Sequence, residues 1–298
     1  MTAFGVALMR AVHTRLDRPQ LIDDPWGDRL AGEAERKAVL ELALAVLEPA
    51  TRAQIIGNST PQTLLDTTLR ANPAYGSMIV RTRYCEDALE AAVAGGVSQY
   101  VIVGAGMDSF ALRRPTFATD LEIFEIDHPL TQNLKRQRLR DLGITTPIKL
   151  HFIAADLRKE QVDTVLTGTG FDRTRPAFFA CLGVMVYLPR EVNLATLRAI
   201  ANCATRGSVL VFNYQDERLQ GTNARSVDAQ AATALRAAGE PWLSGFDPLR
   251  LSEDLRATGW SLREDLAGGE VSERYCRIQQ HGLAPMPSFH IALADVQE

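Results

Sequence analysis

The chain of 298 residues is poor in cysteine, histidine and aromatic side chains. Its four cysteines, Cys85, Cys181, Cys203 and Cys276, are scattered and form no Cys-x-x-Cys pair. That spacing argues against a zinc site, and a chain this long needs no disulfide framework. Cys181 lies in an apolar run and reads as a small core residue. No apolar run approaches the roughly 18 residues of a membrane span, so no membrane partner is expected. The opening stretch Met1-Thr-Ala-Phe-Gly-Val-Ala-Leu-Met-Arg10 lacks a basic leading segment and is not expected to act as a secretory signal. A reducing cytoplasm is the expected compartment. Excess positive charge is missing too. Lys and Arg number 32 against 36 Asp and Glu, a net charge of −4 that carries no electrostatic footprint for nucleic acid. The basic cluster Lys135-Arg136-Gln-Arg138-Leu-Arg140 has helical spacing and reads as a solvated face.

What remains is an ordinary globular composition, with 46% hydrophobic and 23% charged residues. Residues 1 to about 95 read as helical. Residues 31–47 are rich in Ala, Glu and Leu, Asp24-Pro25 marks a break, and residues 79–93 form a helix stopped by Gly95-Gly96. From Ser98 strands and helices alternate. Strands are expected at 100–103, 121–126, 149–154 and 208–213, a further strand with its exit loop over 177–186, and helices at 131–142 and 190–203. Such alternation implies parallel strands joined by right-handed crossovers. Residues 216–250 form a long insertion, expected with the N-terminal helices to cover the strand ends. A helix at 252–258 precedes two strands at 260–266 and 274–280. The link between these is too short for a crossover helix, so they are expected to form an antiparallel hairpin. Two domains follow: an N-terminal helical cap over 1–95 and an α/β core over 96–298.

The chemistry concentrates in two places. Val101-Ile-Val-Gly104-Ala-Gly106-Met-Asp108-Ser109 is an apolar run ending in a glycine turn. Phe124-Glu-Ile-Asp127-His-Pro129 is a second run ending in an acid about twenty residues on. The turn lets backbone approach a ligand, and Asp127 can accept from two ribose hydroxyls or cap the helix that follows. Asp156-Leu157 ends the third strand in the same way: the acid can accept from an adenine amino group or cap a turn. A dinucleotide fingerprint would place a third glycine where Ser109 stands. Its absence, with the closing hairpin usual in the class I methyltransferase fold, favours S-adenosylmethionine over a nicotinamide cofactor. A nicotinamide-dependent oxidoreductase and a non-catalytic S-adenosylmethionine-binding protein stay open as alternatives.

These motifs resemble the leucine carboxyl methyltransferase family, which includes TcmP-like O-methyltransferases and bacterial relatives. Val103-Gly-Ala-Gly-Met-Asp-Ser-Phe-Ala-Leu-Arg113 is similar to the family's first motif. Phe124-Glu-Ile-Asp-His-Pro129, with Gln132 and Lys135, is similar to its second, Asp156-Leu157 to its third, and Leu182-Gly-Val-Met-Val-Tyr-Leu188 to its fourth. Arg10-Ala11, Asp24-Pro25-Trp26 and Arg81-Thr-Arg83 also look like family positions. The resemblance spans about residues 5 to 215. It implies a Rossmann-like class I methyltransferase sheet of seven strands, and S-adenosyl-L-methionine as cofactor. Arg81 would pair with the methionine carboxylate, and Gly104 with Gly106 would face that moiety through backbone. Asp127 would hold the ribose, and Asp156 with Leu157 the adenine. Some members carry glutamate where Leu182 stands here, which fits the bacterial branch better than the phosphatase-methylating one.

The expected reaction is methyl transfer to a carboxylate or phenolic oxygen of a small molecule. A carboxylate needs no base. A phenol with a pKa near ~10 would be helped by one. His281 and His290, read as lying after the last strand, are within reach of such a role or are plain loop residues. Tyr187, His128 and Trp242 are candidates for the acceptor pocket, with Met185 and Phe246 as further apolar wall or as core.

Overall fold

The uncharged run Gln99–Val103 (β1) is buried at every position, as a strand covered on both faces must be. Ala177–Cys181 (β4) and Val209–Gln215 (β5) are buried throughout as well. With Glu122–Asp127 (β2) and Leu150–Ala154 (β3) they form the parallel part of one sheet. Trp260–Ala267 (β6) and Phe289–Val296 (β7) complete it in the order β3-β2-β1-β4-β5-β7-β6. The computed structural model describes residues 2–61, 63–220, 226–237, 239–275 and 283–297.

The direction of β7 follows from its ends. Val296 N–H donates to Ser208 O at 3.2 Å, and Gln297 N–H to Gly259 O at 2.9 Å. The end of β7 therefore lies beside the beginnings of β5 and β6, and β7 runs antiparallel to both. The sheet closes on an antiparallel pair, as expected. The strand expected at 274–280 is not its partner, however. Arg274 and Tyr275 belong to a helix, Gly268–Tyr275, and 276–280 lie outside the described residues. Glu270 explains the helix. Its Oε2 accepts from Ala267 N–H at 2.8 Å, the reach-back half of a capping box.

The helices, in chain order, are α1 (Thr2–Leu16), α2 (Trp26–Leu30), α3 (Glu33–Ala45), α4 (Pro49–Asn58), α5 (Leu64–Ala71) and α6 (Tyr75–Ala94) before the sheet. Then come α7 (Phe110–Arg113), α8 (Pro129–Asp141), α9 (Val162–Val165), α10 (Arg190–Cys203), α11 (Ser226–Ala237), α12 (Leu251–Arg256) and α13 (Gly268–Tyr275). Among the described residues no helix is long and apolar enough to cross a membrane.

The chain divides into two compact units. The first gathers Met1–Arg83, Leu219–Trp242 and Ala267–Phe289. Its helices are pinned by buried polar groups. Arg10 Nε meets Asp24 Oδ2 at 2.6 Å, and His13 bridges Asp17 and the Leu21 N–H. Gly27 packs so closely on the Ala7 carbonyl that any side chain would collide with it. The second unit comprises Tyr84–Arg218, Leu243–Leu266 and His290–Glu298. The division falls inside α6 because its later residues bond into the sheet unit: Tyr84 donates to Glu264, and Glu86 pairs with Arg113. The core of the second unit collects Phe124, Phe179, Phe212 and Trp260, and the Trp260 indole donates to Leu197 O at 2.9 Å.

The basic cluster on α8 is not wholly a solvated face. Lys135 is 1% exposed and its ammonium pairs with Glu125 on β2. Gln132, three residues earlier on the same helix face, donates to Glu125 O and Ile153 O, so α8 lies across β2 and β3. Burial pushes the Glu125 carboxyl up, to about 7, against the pull of Lys135. The folded state then holds this proton more tightly than the unfolded chain, whose carboxyl titrates at 4.5. Stability from this group is present below that value and is lost as pH rises to about 7. Lys135→Met should destabilise the protein by about 3–5 kcal/mol in urea unfolding, because it strands a buried carboxylate. Glu125→Leu with Lys135→Met should lose far less.

Candidate functional site

In an open α/β sheet a ligand binds outside the C-terminal strand ends, where strand order reverses. Here the reversal lies between β1 and β4, which are neighbours with the chain leading away to opposite sides. The chain leaves β1 through Gly104 (φ +75°) and Gly106 (φ +55°), in the left-handed region that favours glycine. Gly104 N–H and Ala105 N–H both donate to Ile126 O, at 2.8 and 3.1 Å. A Cβ on Gly104 would run into Val184 Cγ2, on the loop leaving β4. Gly104 thus lies where the turn after β1 meets the loop after β4.

Asp127 ends β2 and ties the turn. Its Oδ2 accepts from Gly106 N–H, and its Oδ1 from His128 N–H at 2.5 Å. An ionised carboxylate offers about four acceptor positions. Two are used, so each oxygen keeps one for a ligand hydroxyl. Burial pushes the carboxyl above its ordinary pKa, and the two N–H donors pull it partly back. The helix-cap reading of Asp127 does not describe this geometry, since His128 caps α8 instead, its Nδ1 accepting from Leu130 N–H.

Asp156 lies two residues past β3, one strand over from Asp127, whose register partner is Ala154. Its carboxylate accepts from Arg158 N–H at 3.1 Å and pairs with Lys159 at 3.3 Å, while Glu160 Oε2 accepts from its N–H. Slight burial opposes ionisation, but the Arg158 N–H and Lys159 outweigh it and hold the carboxyl below the ordinary range. Asp156 therefore does shape a turn. Leu157 is 9% exposed and packs in the buried core with Ile153 and Val162.

The other sequence candidates divide between the two units. Tyr187 ends a single helical turn, Met185–Tyr187, and is half-buried. Met185 and Phe246 are core, not pocket wall: both are buried, and Phe246 packs edge-on against Phe212 and Tyr214. Arg81, on α6 and 7% exposed, and half-buried Trp242 belong to the first unit. Ser109, standing where a dinucleotide turn has glycine, is buried and its hydroxyl accepts from Arg113. His281 lies outside the described residues. His290 does not follow the last strand but lies inside β7. Sequence reading missed Asn213, whose Oδ1 accepts from Gly183 N–H at 2.7 Å and so fixes the loop after β4. The available signal was an amide directly after four apolar residues of the strand.

The model of the leucine carboxyl methyltransferase family matches residues 3–201. The chain belongs to that family. A protein named as an S-adenosyl-L-methionine-dependent methyltransferase, YktD of Bacillus subtilis, is 31% identical over 298 residues, covering 97% of this chain and 95% of its own. A Mycolicibacterium smegmatis protein named for the same activity is 35% identical over 219 residues, covering 73% of this chain and 67% of its own. A solved methyltransferase structure from Thermobifida fusca superposes with a TM-score of 0.56 at 14% identity, covering 87% and 94% of the two chains, and shares the fold. This family member is a methyltransferase that uses S-adenosyl-L-methionine.

The turn suits that cofactor. Gly104 packs the turn against Val184, where a side chain would collide, and Asp127 keeps two acceptor positions. Gly104→Ala should abolish cofactor binding in calorimetry, because it adds both a clash and a strained φ. Val184→Ala in the same chain should relieve the clash and restore only part of the affinity.

Proposed function

We propose that the chain transfers the methyl group to oxygen, on a carboxylate or phenolic hydroxyl of a small-molecule acceptor. The observation that carries the cofactor half is the Asp127 carboxylate, anchored by two N–H donors with two acceptor positions left. Support for oxygen comes from the family's description as carboxyl methyltransferases. In this proposal Asp127 holds the ribose hydroxyls, Asp156 and Leu157 border the adenine, and Gly104 and Gly106 present backbone to the methionine portion. Arg81, as partner of the methionine carboxylate, enters on the resemblance alone, and Trp242, as pocket wall, on its apolar side chain in the 216–250 insertion. Tyr187 and His128 stand as acceptor-pocket candidates of the second unit.

When bound, S-adenosylmethionine supplies a methyl group already activated on a sulfonium. The residues of this chain then need only align the acceptor oxygen in line and exclude water. An ionised carboxylate is nucleophilic without help. A phenol with a pKa near ~10 must first lose its proton.

Asp127→Ala should weaken S-adenosylmethionine binding on the order of 100-fold in calorimetry, the loss of two charge-assisted hydrogen bonds. Unchanged affinity would remove the ribose assignment. Incubation with methyl-labelled cofactor and panels of carboxylic acids, phenols, amines and thiols should label only the first two classes. Label confined to nitrogen or sulfur acceptors would overturn transfer to oxygen.

A further inference from the structure

Three titratable side chains from three neighbouring strands meet at one edge of the sheet. Tyr214 is the next-to-last residue of β5, Asp265 lies near the end of β6, and His290 is the second residue of β7. Because β7 is antiparallel to its two neighbours, its beginning lies with their ends. That edge is the one at which β1 releases Gly104 and β2 presents Asp127. Tyr214 OH donates to Asp265 Oδ2 at 2.7 Å. His290 Nδ1 lies 3.2 Å from Tyr214 Oη and 3.3 Å from each Asp265 oxygen, with its ring stacked on the tyrosine at 5.0 Å.

The partners fix the tautomer. The Tyr214 hydrogen is spent on Asp265, so the phenol oxygen can only accept from the imidazole. Asp265 is likewise an acceptor. Nδ1 therefore carries the proton, and Nε2 carries the lone pair. Among the described residues Nε2 has no hydrogen-bond partner. An imidazole oriented through Nδ1 by a carboxylate, with a bare Nε2 at the ligand edge, has the arrangement of a general base. Tyr214 is held as a neutral phenol by burial, with Asp265 adding to the effect, so it does not compete for the role.

We propose that His290 is the general base for a phenolic acceptor, and that Asp265 and Tyr214 are its positioning residues. This rests on transfer to oxygen and narrows the acceptor to a hydroxyl that needs deprotonation. The acceptor O–H bond breaks towards Nε2 and the oxygen pair forms the bond to the methyl carbon. The C–S bond pair leaves with sulfur as a neutral thioether. The imidazolium, held against Asp265, then releases its proton to solvent. The charges around the ring are Asp265 on β6, Asp216 just beyond β5, and Arg218, which pairs with Asp216.

The test uses the whole chain and phenols of graded acidity, with carboxylic acids beside them. His290→Ala should lower kcat for weakly acidic phenols by about 100-fold or more, and remove the acid limb of their pH–rate profile. Cofactor affinity by calorimetry should hold, and 4-nitrophenol, ionised without help near about pH 8, should lose little. Asp265→Asn should cost about tenfold for the same weakly acidic phenols. In nitrogen NMR of the uncomplexed protein, His290 should be the Nδ1–H tautomer, and Asp265→Asn should redistribute it. An Nε2–H tautomer, or an equal loss for every acceptor, would overturn the assignment. Transfer to carboxylic acids alone, indifferent to His290→Ala, would overturn it while leaving transfer to oxygen intact. Label on no oxygen acceptor, with cofactor bound, would sink that reading and this one together.

Discussion

The hydrogen bond from Gly106 N–H to the Asp127 carboxylate is the constraint on which the site depends. It spans the C-terminal ends of β1 and β2 and holds the glycine turn in its left-handed backbone. Beside it, the Ile126 carbonyl accepts from Gly104 and Ala105, and Ala105 O accepts from Asp108 N–H. A charge-assisted bond of this kind contributes about 1.5–3 kcal/mol, enough to choose one loop conformation over its competitors. The same carboxylate is the one assigned to the ribose in the proposed function. In the proposed function the residue that shapes the turn would also hold the ribose, so that neither role could be removed alone.

Much of this was legible in the sequence because burial on both faces leaves a plain mark. Residues 100–103 and 208–213 read as strands since a parallel central strand is a continuous apolar run. Asp127 stood out as a charge at the end of such a run. Lys135 was misread because helical spacing alone does not say which face meets the sheet. The missing clue was Glu125, an acid in the middle of a buried strand. A charge there demands an opposite charge, and Lys135 on the packed face of α8 is that charge. Met185 and Phe246 failed for a related reason. An apolar side chain near a site has the same letter whether it lines a pocket or fills the core.

The end of the sheet is more instructive. An antiparallel finish was expected from a short link between two strands, yet the segment after β6 is a capped helix and the partner strand comes later. Gly268-Gly269 has low helix propensity and reads as a turn. One side chain, Glu270, reverses that by satisfying the Ala267 N–H. Gly268 is there for a different reason: its backbone lies against the Met286 carbonyl, where a Cβ would collide. Local propensity and tertiary packing point in opposite directions at this position, and packing wins.

The antiparallel strand does more than close the sheet. In an all-parallel sheet the ligand edge receives only residues that end strands, and each is followed by a loop free to vary. Inserting β7 in the opposite sense between β5 and β6 brings the beginning of a strand to that edge, flanked on both sides by backbone. His290 is therefore held by a strand on each side, with Tyr214 from one and Asp265 from the other. A histidine on a loop could turn either nitrogen to the ligand. One confined between two strands, with two acceptors at Nδ1, cannot. The strand order thus brings together residues 214, 265 and 290, whose separation along the chain hides the cluster from any local reading.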